Sequence, residues 1–400
     1  MWKLAIKNLK RNKKRSFLTI LSVFSAAMIV GLAQGWISGL MDFYIDMYIK
    51  NQTGLVRIAS DEFIKRERFM PVEENIQNAD ILVSGIKKIP GVTAVEPRVR
   101  FGILLSNGDN TIESLGVGLN LAENRYKLKE KMIEGSLGNS GIYIGHILAK
   151  RLGIKQGQNI IIASKTAQGG LNGIKLRVDG IFKLGNSLFD RKFFFISLAD
   201  ARRLLKMNTG ATEILVYGND REKVDILIKS IEKILPDGAR AQGYAEQIGA
   251  LYAMLKGMKY MYVIFGGLIL FLASFVIVNT MMMNIFERIR EIGTMKALGM
   301  TDREVFWGLT LEGVIMGAIG GVLGAVIGYS IIVAINLTGG VNLEAMMRNF
   351  DMPFDYIMFP KLSLISLFGA VVLCIIVPAL AAMIPARYSN KLMPAEALRK

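Results

Sequence analysis

Residues 260–286 read YMYVIFGGLILFLASFVIVNTMMMNIF, without a charge between Lys259 and Glu287, and residues 287–304 continue as ERIREIGTMKALGMTDRE. A hydrocarbon layer about 30 Å thick is crossed by roughly 20 helical residues, so the first run is long enough to span a membrane. The second, alternating acid and base, belongs in water. The apolar pattern recurs between Arg15 and Asp42, between Glu312 and Glu344, and between Lys361 and Arg387. Across 400 residues, 52% are hydrophobic and 20% charged, and the mean hydropathy is +0.37. That excludes a soluble enzyme, a disordered chain and a fibre. Four transmembrane helices are expected, at 16–41, 259–286, 301–340 and 362–386.

Orientation follows from Lys and Arg in the short flanks. Residues 1–15 hold seven basic residues and no acid, the 287–304 segment holds four basic residues, and the stretch from Arg387 onward holds four. The loop at 341–361 has only Arg348 and Lys361. Both termini and the 287–300 segment are therefore expected in the cytoplasm, with 42–258 as a large extracytoplasmic domain. The cytoplasmic parts carry 15 basic and 5 acidic residues. Ala33-Gln34-Gly35 has signal-peptidase spacing, but a cleavable signal has an apolar region of only about 7–15 residues, so this run is read as an anchor. Within 1–15, Trp2, Ile6 and Leu9 recur at helical spacing while Lys3, Lys7 and Lys10 take another face. Such a helix suits the anionic inner leaflet.

The large domain reads as α+β. Leu55 to Ala59, Gly91 to Leu105, Glu213 to Tyr217 and Ala239 to Gln242 read as strands, Asn75 to Lys88 and Arg221 to Leu235 as helices, with a turn at Asn107-Gly108-Asp109. Two βαβ units this far apart can form one split, ferredoxin-like sheet with both helices on one face. They would make a membrane-near module of about 42–119 and 206–258, with a β-rich subdomain of about 120–205 inserted between. The insert has strands at Gln158 to Ser164, Ile174 to Lys183 and Phe193 to Ile196, then a helix that Ser197 and Asp200 would cap. Its Gly-rich segment 168–173 is either a tip for a partner or a plain hairpin loop.

Chemistry is mostly excluded. With the single cysteine Cys374 and the single histidine His146 there is no thiolate cluster and no multi-imidazole zinc site. A Walker loop needs Gly-Lys before Ser or Thr, and the chain has no Gly-Lys dipeptide. Energy from ATP, if it is used at all, must come from another polypeptide. Glu312 is the one ionisable group in an apolar run, too little for a proton pathway. In span three, Gly313, Gly317 and Gly321 form one row and Gly320, Gly324 and Gly328 a second, so close helix packing is expected, within the chain or at a dimer seam. Pro378 is expected to kink span four.

In 287–304, Gly299 suits a helix C-terminus and Thr301 with Glu304 a capping box, giving a helix, a sharp turn and span three. Gly293 and Ala297 would form a small-residue patch, and Ile289, Ile292 and Met295 an apolar face. Four bases balance four acids here, which points to a protein partner and not to lipid. Glu287-Arg288-x-Arg290-Glu291-Ile292-Gly293-x-x-Lys296-Ala297-Leu298-Gly299 after the second of four spans resembles the permease subunits of MacB/FtsX/Lol-type (type VII) ABC transporters. Pro385-Ala386-Arg387, Pro394-Ala395-Glu396-Ala397-Leu398-Arg399 and the opening Ala5-x-Lys7-Asn8-Leu9 are similar to that family as well.

The resemblance implies that Glu287, Arg288, Arg290, Glu291, Gly293, Lys296, Ala297, Leu298 and Gly299 form a coupling helix against an ATPase subunit that binds the ATP and Mg. This chain would hold no cofactor. The other partners implied are a second permease copy or paralogue, membrane lipid, and a periplasmic carrier or adaptor, with no nucleic acid. The place would be the bacterial inner membrane. Gln52-Thr53-Gly54 followed by Val56-Arg57-Ile58 looks closest to lipoprotein-releasing permeases, although the matching carrier-hook position, about Ser164 to Lys175, lacks prolines and bulky apolar anchors. The function implied is mechanotransmission, with lipoprotein or another hydrophobic substrate taken from the outer leaflet. The alternatives are an efflux permease working with an adaptor and a membrane regulator of a cell-wall hydrolase.

Overall fold

The computed structural model describes residues 2–122, 126, 128–185, 187–343, 357–361 and 364–390. Residues 344–356 of the expected 341–361 loop lie outside them, as do 391–400 of the tail with the Pro394 to Arg399 motif. The described residues fall into two compact units. One lies within Met1–Phe43, Met254–Asn342 and Ile357–Lys400, the other within Tyr44–Ala253 and Leu343–Tyr356.

The second unit is built on strands β1 (Val56–Ser60), β2 (Val92–Ser106), β3 (Thr111–Leu119), β4 (Met132–Gly135), β5 (Ile142–Gly145), β6 (Asn159–Lys165), β7 (Leu171–Phe182), β8 (Phe193–Ser197), β9 (Glu213–Gly218) and β10 (Ala239–Gly243). Four of them pair in the order β10-β1-β9-β2, every neighbour antiparallel. This is the order of a split ferredoxin-like sheet. Its helices Ala79–Ile86 and Val224–Glu232 share one face: a Cβ on Gly85 would stand 3.7 Å from Ile234, just beyond the second helix. Alternation puts Val56, Ile58, Ile214 and Val216 under those helices, each at 0% exposure.

The opposite face is a charge lattice. Arg57 donates to Glu67 at 2.6 Å and to Gln242 at 2.7 Å, and Arg100 donates to Glu67 at 3.0 Å. Arg98, 1% exposed, is held by Glu96 at 2.9 Å, by the Tyr217 and Tyr126 hydroxyls and by the Tyr126 ring face. Burial alone would raise the Glu67 carboxyl, but the Arg57 and Arg100 guanidiniums outweigh it and hold the group below its usual range.

Strand β2 is long enough to serve two sheets. Its first half pairs with β9, and its second half pairs with β3 and β6, continuing through β8, β5, β7 and β4. Strand pairing therefore joins residues 99–119 to the insert. At the β2–β3 turn, Asn107 Oδ1 accepts from the Asp109 and Asn110 amides, and Gly108 supplies a φ of 103°. Segment 168–173 lies at the β6–β7 hairpin, where the Thr166 amide donates to Gly170 O at 2.7 Å. Ser197 caps the helix Leu198–Leu205 by accepting from the Asp200 amide at 3.0 Å.

The first unit holds four helices long and apolar enough to cross a membrane: span one (Lys13–Tyr48), span two (Gly249–Glu287), span three (Asp302–Leu337) and span four, apolar over Leu367–Tyr388. The ordered helices are longer than the apolar runs because polar residues at either end continue the same hydrogen-bond ladder. The glycine rows of span three separate by partner. A methyl on Gly313 would lie 2.4 Å from Ala382 Cβ, and one on Gly321 2.6 Å from Cys374 Cβ, both on span four. One on Gly320 would lie 2.8 Å from Ile20 O, and one on Gly324 2.4 Å from Phe24 O, both on span one. Pro378 cannot donate to Cys374 O, and that carbonyl rests 2.8 Å from where a Gly317 Cβ would be. Span two is the least embedded: 17% of its most apolar window is buried, against 39% for span one and 33% for span three. Ile264, Phe265, Phe271 and Phe275 are exposed along it.

Candidate functional site: the elbow between spans two and three

The helix Ile289–Ala297 is cut off from span two at Arg288, whose φ of −109° and ψ of 17° leave the helical basin. Its C-terminus closes as a Schellman motif: the Met300 amide donates to Met295 O and the Gly299 amide to Lys296 O, both at 3.0 Å. This forces a φ of 98° at Gly299, a region L side chains avoid. Span three then starts with a capping box, the Thr301 amide donating to Glu304 Oε2 at 2.8 Å. Turn glycine and capping box both stand where the sequence placed them.

The elbow is strapped from several sides. Arg15 of span one grips Glu287 with both guanidinium nitrogens, Nη2 to Oε1 at 2.6 Å. From the helix Trp2–Arg11, Arg11 donates to Glu291 at 2.6 Å and Asn8 donates to Glu312 at 2.6 Å. Arg288, 7% exposed, donates to Glu291 at 3.1 Å and to Glu312 at 3.3 Å. Lys296 reaches Asp302 at 2.7 Å. The Arg11 hydrogen bond, more than its charge, holds the Glu291 carboxyl below the ordinary range. Glu312, 4% exposed, thus anchors both the N-terminal helix and the elbow's first residue.

The expected contact residues divide by face. Arg288 and Gly293 are buried inside the chain and Lys296 is turned to Asp302, so these three form the inner side. Glu287 and Glu291 are exposed but held by arginines. Arg290, Ala297, Leu298 and Gly299 face outward together with Thr294, and Leu298 is 84% exposed. Two expectations need correction. Ile292 is 1% exposed and Met295 packs against the same span core, so neither offers an apolar face. Gly293 is buried, so no Gly293–Ala297 patch lies on the surface; the helix needs its apolar side to seat itself on the spans. Sequence reasoning missed Asn8, Arg11, Arg15 and Asp302. One signal was available: Arg11 and Arg15 are four apart, as are Glu287 and Glu291, so the two pairs can meet ridge to ridge.

Between the C-terminal half of span one and the N-terminal half of span two runs an apolar groove of about 490 Å³, lined by Val30, Ile37, Met258, Met261, Phe265 and Ile269. Its polar feature is the Tyr262 hydroxyl, which donates to Val30 O at 2.9 Å.

The family model for the MacB-like periplasmic core domain matches residues 16–234, and that for the FtsX-like permease C-terminal region matches residues 263–392. The lipoprotein-releasing system transmembrane protein LolC of Xylella fastidiosa is 24% identical over 293 residues, covering 68% of this chain and 69% of LolC. An ABC transporter permease of Methanocaldococcus jannaschii is 28% identical over 56% of this chain and 55% of its own length. The periplasmic region of MacB from Actinobacillus actinomycetemcomitans overlays 51% of this chain and 95% of its own, with a TM-score of 0.37 at 12% identity. Four membrane helices, a large α+β domain and both family matches define an ABC transporter permease. The chain belongs to the MacB/FtsX/Lol-type family of these permeases.

Proposed function

We propose that this permease relays the stroke of a separate ATP-hydrolysing subunit, which holds the ATP and Mg, to its own large domain. In this reading the termini and the elbow face the cytoplasm, residues 42–258 lie across the membrane, and a second permease copy or paralogue completes the assembly. The carrying observation is the outward strip Arg290, Thr294, Ala297 and Leu298 on a helix strapped to spans one and three. A knob such as Leu298 beside small residues fits a groove of a partner protein, and the straps stop the helix from yielding when it is pushed. The substrate is lipoprotein or another acylated molecule taken from the outer leaflet; the apolar groove beside Met258 and Met261 supports a hydrocarbon chain as cargo.

The test pairs two measurements. Leu298→Asp and Arg290→Glu, in a permease that still inserts, should each remove the permease's stimulation of ATP hydrolysis by the co-purified ATPase. Unchanged stimulation removes the elbow from the mechanism. A Leu298→Cys probe in a Cys374→Ala background should react with a membrane-impermeant maleimide in inside-out vesicles only; labelling in right-side-out cells overturns the orientation.

A further inference from the structure

The helix Trp2–Arg11 has two sides with different work. Its inner side is committed to the protein: Ala5 is 2% exposed, Asn8 bonds Glu312, and Arg11 bonds Glu291. Its outer side carries Trp2 at 61% and Ile6 at 45% exposure, with Lys7 and Lys10 exposed beside them. Lys13 and Lys14 follow after a one-residue break at Asn12. Among the described residues none of these four lysines has an ion-pair partner, and residues 1–15 contain no acid. Unpaired cations flanked by an exposed tryptophan at the foot of a membrane span match an anionic phospholipid surface in both charge and polarity. A soluble acidic protein would satisfy the lysines but leave Trp2 and Ile6 in water.

We propose that this helix docks on anionic phospholipid of the leaflet at that foot, and that docking sets the seating of the elbow through Asn8 and Arg11. The permease's stimulation of its ATPase would then rise with leaflet charge. The inference rests on the coupling role given to the elbow above. The helix cannot move toward the headgroups without acting on Glu291 and Glu312, because Arg11 and Asn8 bond those carboxylates. By linkage, an ATPase seated on the elbow would in turn change the helix's preference for anionic lipid.

The experiment uses the full permease in nanodiscs of phosphatidylcholine alone, or with about one-third phosphatidylglycerol. Spin labels at Ile6→Cys and Thr294→Cys in a Cys374→Ala background read the seating without the ATPase. Their distance distribution should differ between the two discs. The difference should vanish when Lys7, Lys10, Lys13 and Lys14 are all changed to Gln, and again at high salt. With the ATPase added, stimulation should be several-fold greater in the anionic disc for wild type and equal in both discs when Asn8→Ala is combined with Arg11→Gln. Identical distances in the two discs overturn the inference, as does a lipid effect that survives the lysine changes. A lipid-dependent distance without any stimulation of ATP hydrolysis upholds lipid docking and counts against the elbow as the coupling element.

Discussion

Removing the Glu312 carboxylate should be among the most damaging single changes in the membrane unit. Arg288 lies 7% exposed with Nη1 3.3 Å from Glu312, and its Nε reaches Glu291 at 3.1 Å. Two unit charges at that separation attract by about 5 kcal/mol at an effective dielectric near 20, most of which desolvation offsets. Taking away one partner forfeits the attraction but leaves the guanidinium desolvated, which costs about 3–5 kcal/mol for a fully buried pair. Because Glu291 still holds Nε, about 2–4 kcal/mol is expected for Glu312→Ala. Arg288→Met combined with Glu312→Leu should recover most of that loss, since no charge is then buried. The assay is denaturant unfolding in mixed micelles, followed by Trp307 emission in a Trp2→Phe, Trp36→Phe background. A Glu312→Ala loss below about 1 kcal/mol, or a double variant no better than the sum of the singles, would refute the anchoring role.

Gly321→Val should lower stability by about 1–3 kcal/mol through overpacking against Cys374, whereas Gly267→Ala, where an added Cβ meets nothing within 4 Å, should be neutral in the same unfolding assay. Gly299→Ala meets no side chain either, so its cost of about 1–3 kcal/mol is backbone strain at positive φ; amide exchange at Met300 should quicken. Glu67→Gln tests the charge lattice by pH. A carboxyl held below its ordinary 4.5 contributes stability above that value and loses it as pH falls through the native one. The melting temperatures of wild type and variant should therefore differ at neutral pH and converge in acid.

The spans were legible because hydropathy needs only a window of composition, and the split sheet because its two βαβ units each repeat the same local alternation. The reach of β2 into a second sheet was not legible, since nothing local marks where one 15-residue strand changes neighbours. Nor were β4 and β5, four residues each and too short for a period to declare itself. At the elbow, the turn and cap were readable from Gly299, Thr301 and Glu304 because caps are local chemistry. Which side faced inward was not, because it is decided by distant partners: Ile292 seats in the core of the spans, and Arg11 holds Glu291 from 280 residues away.

The twin glycine stripes of span three carry a consequence for how its length can vary. One stripe seats span four and the other span one, and each residue along a helix turns the wheel by about 100°. Inserting one amino acid between Gly317 and Gly320 would swing the later stripe off span one and drive a bulkier neighbour into its backbone. Homologous chains should accordingly tolerate swaps among the outward valines and isoleucines here far more readily than any gain or loss in residue count.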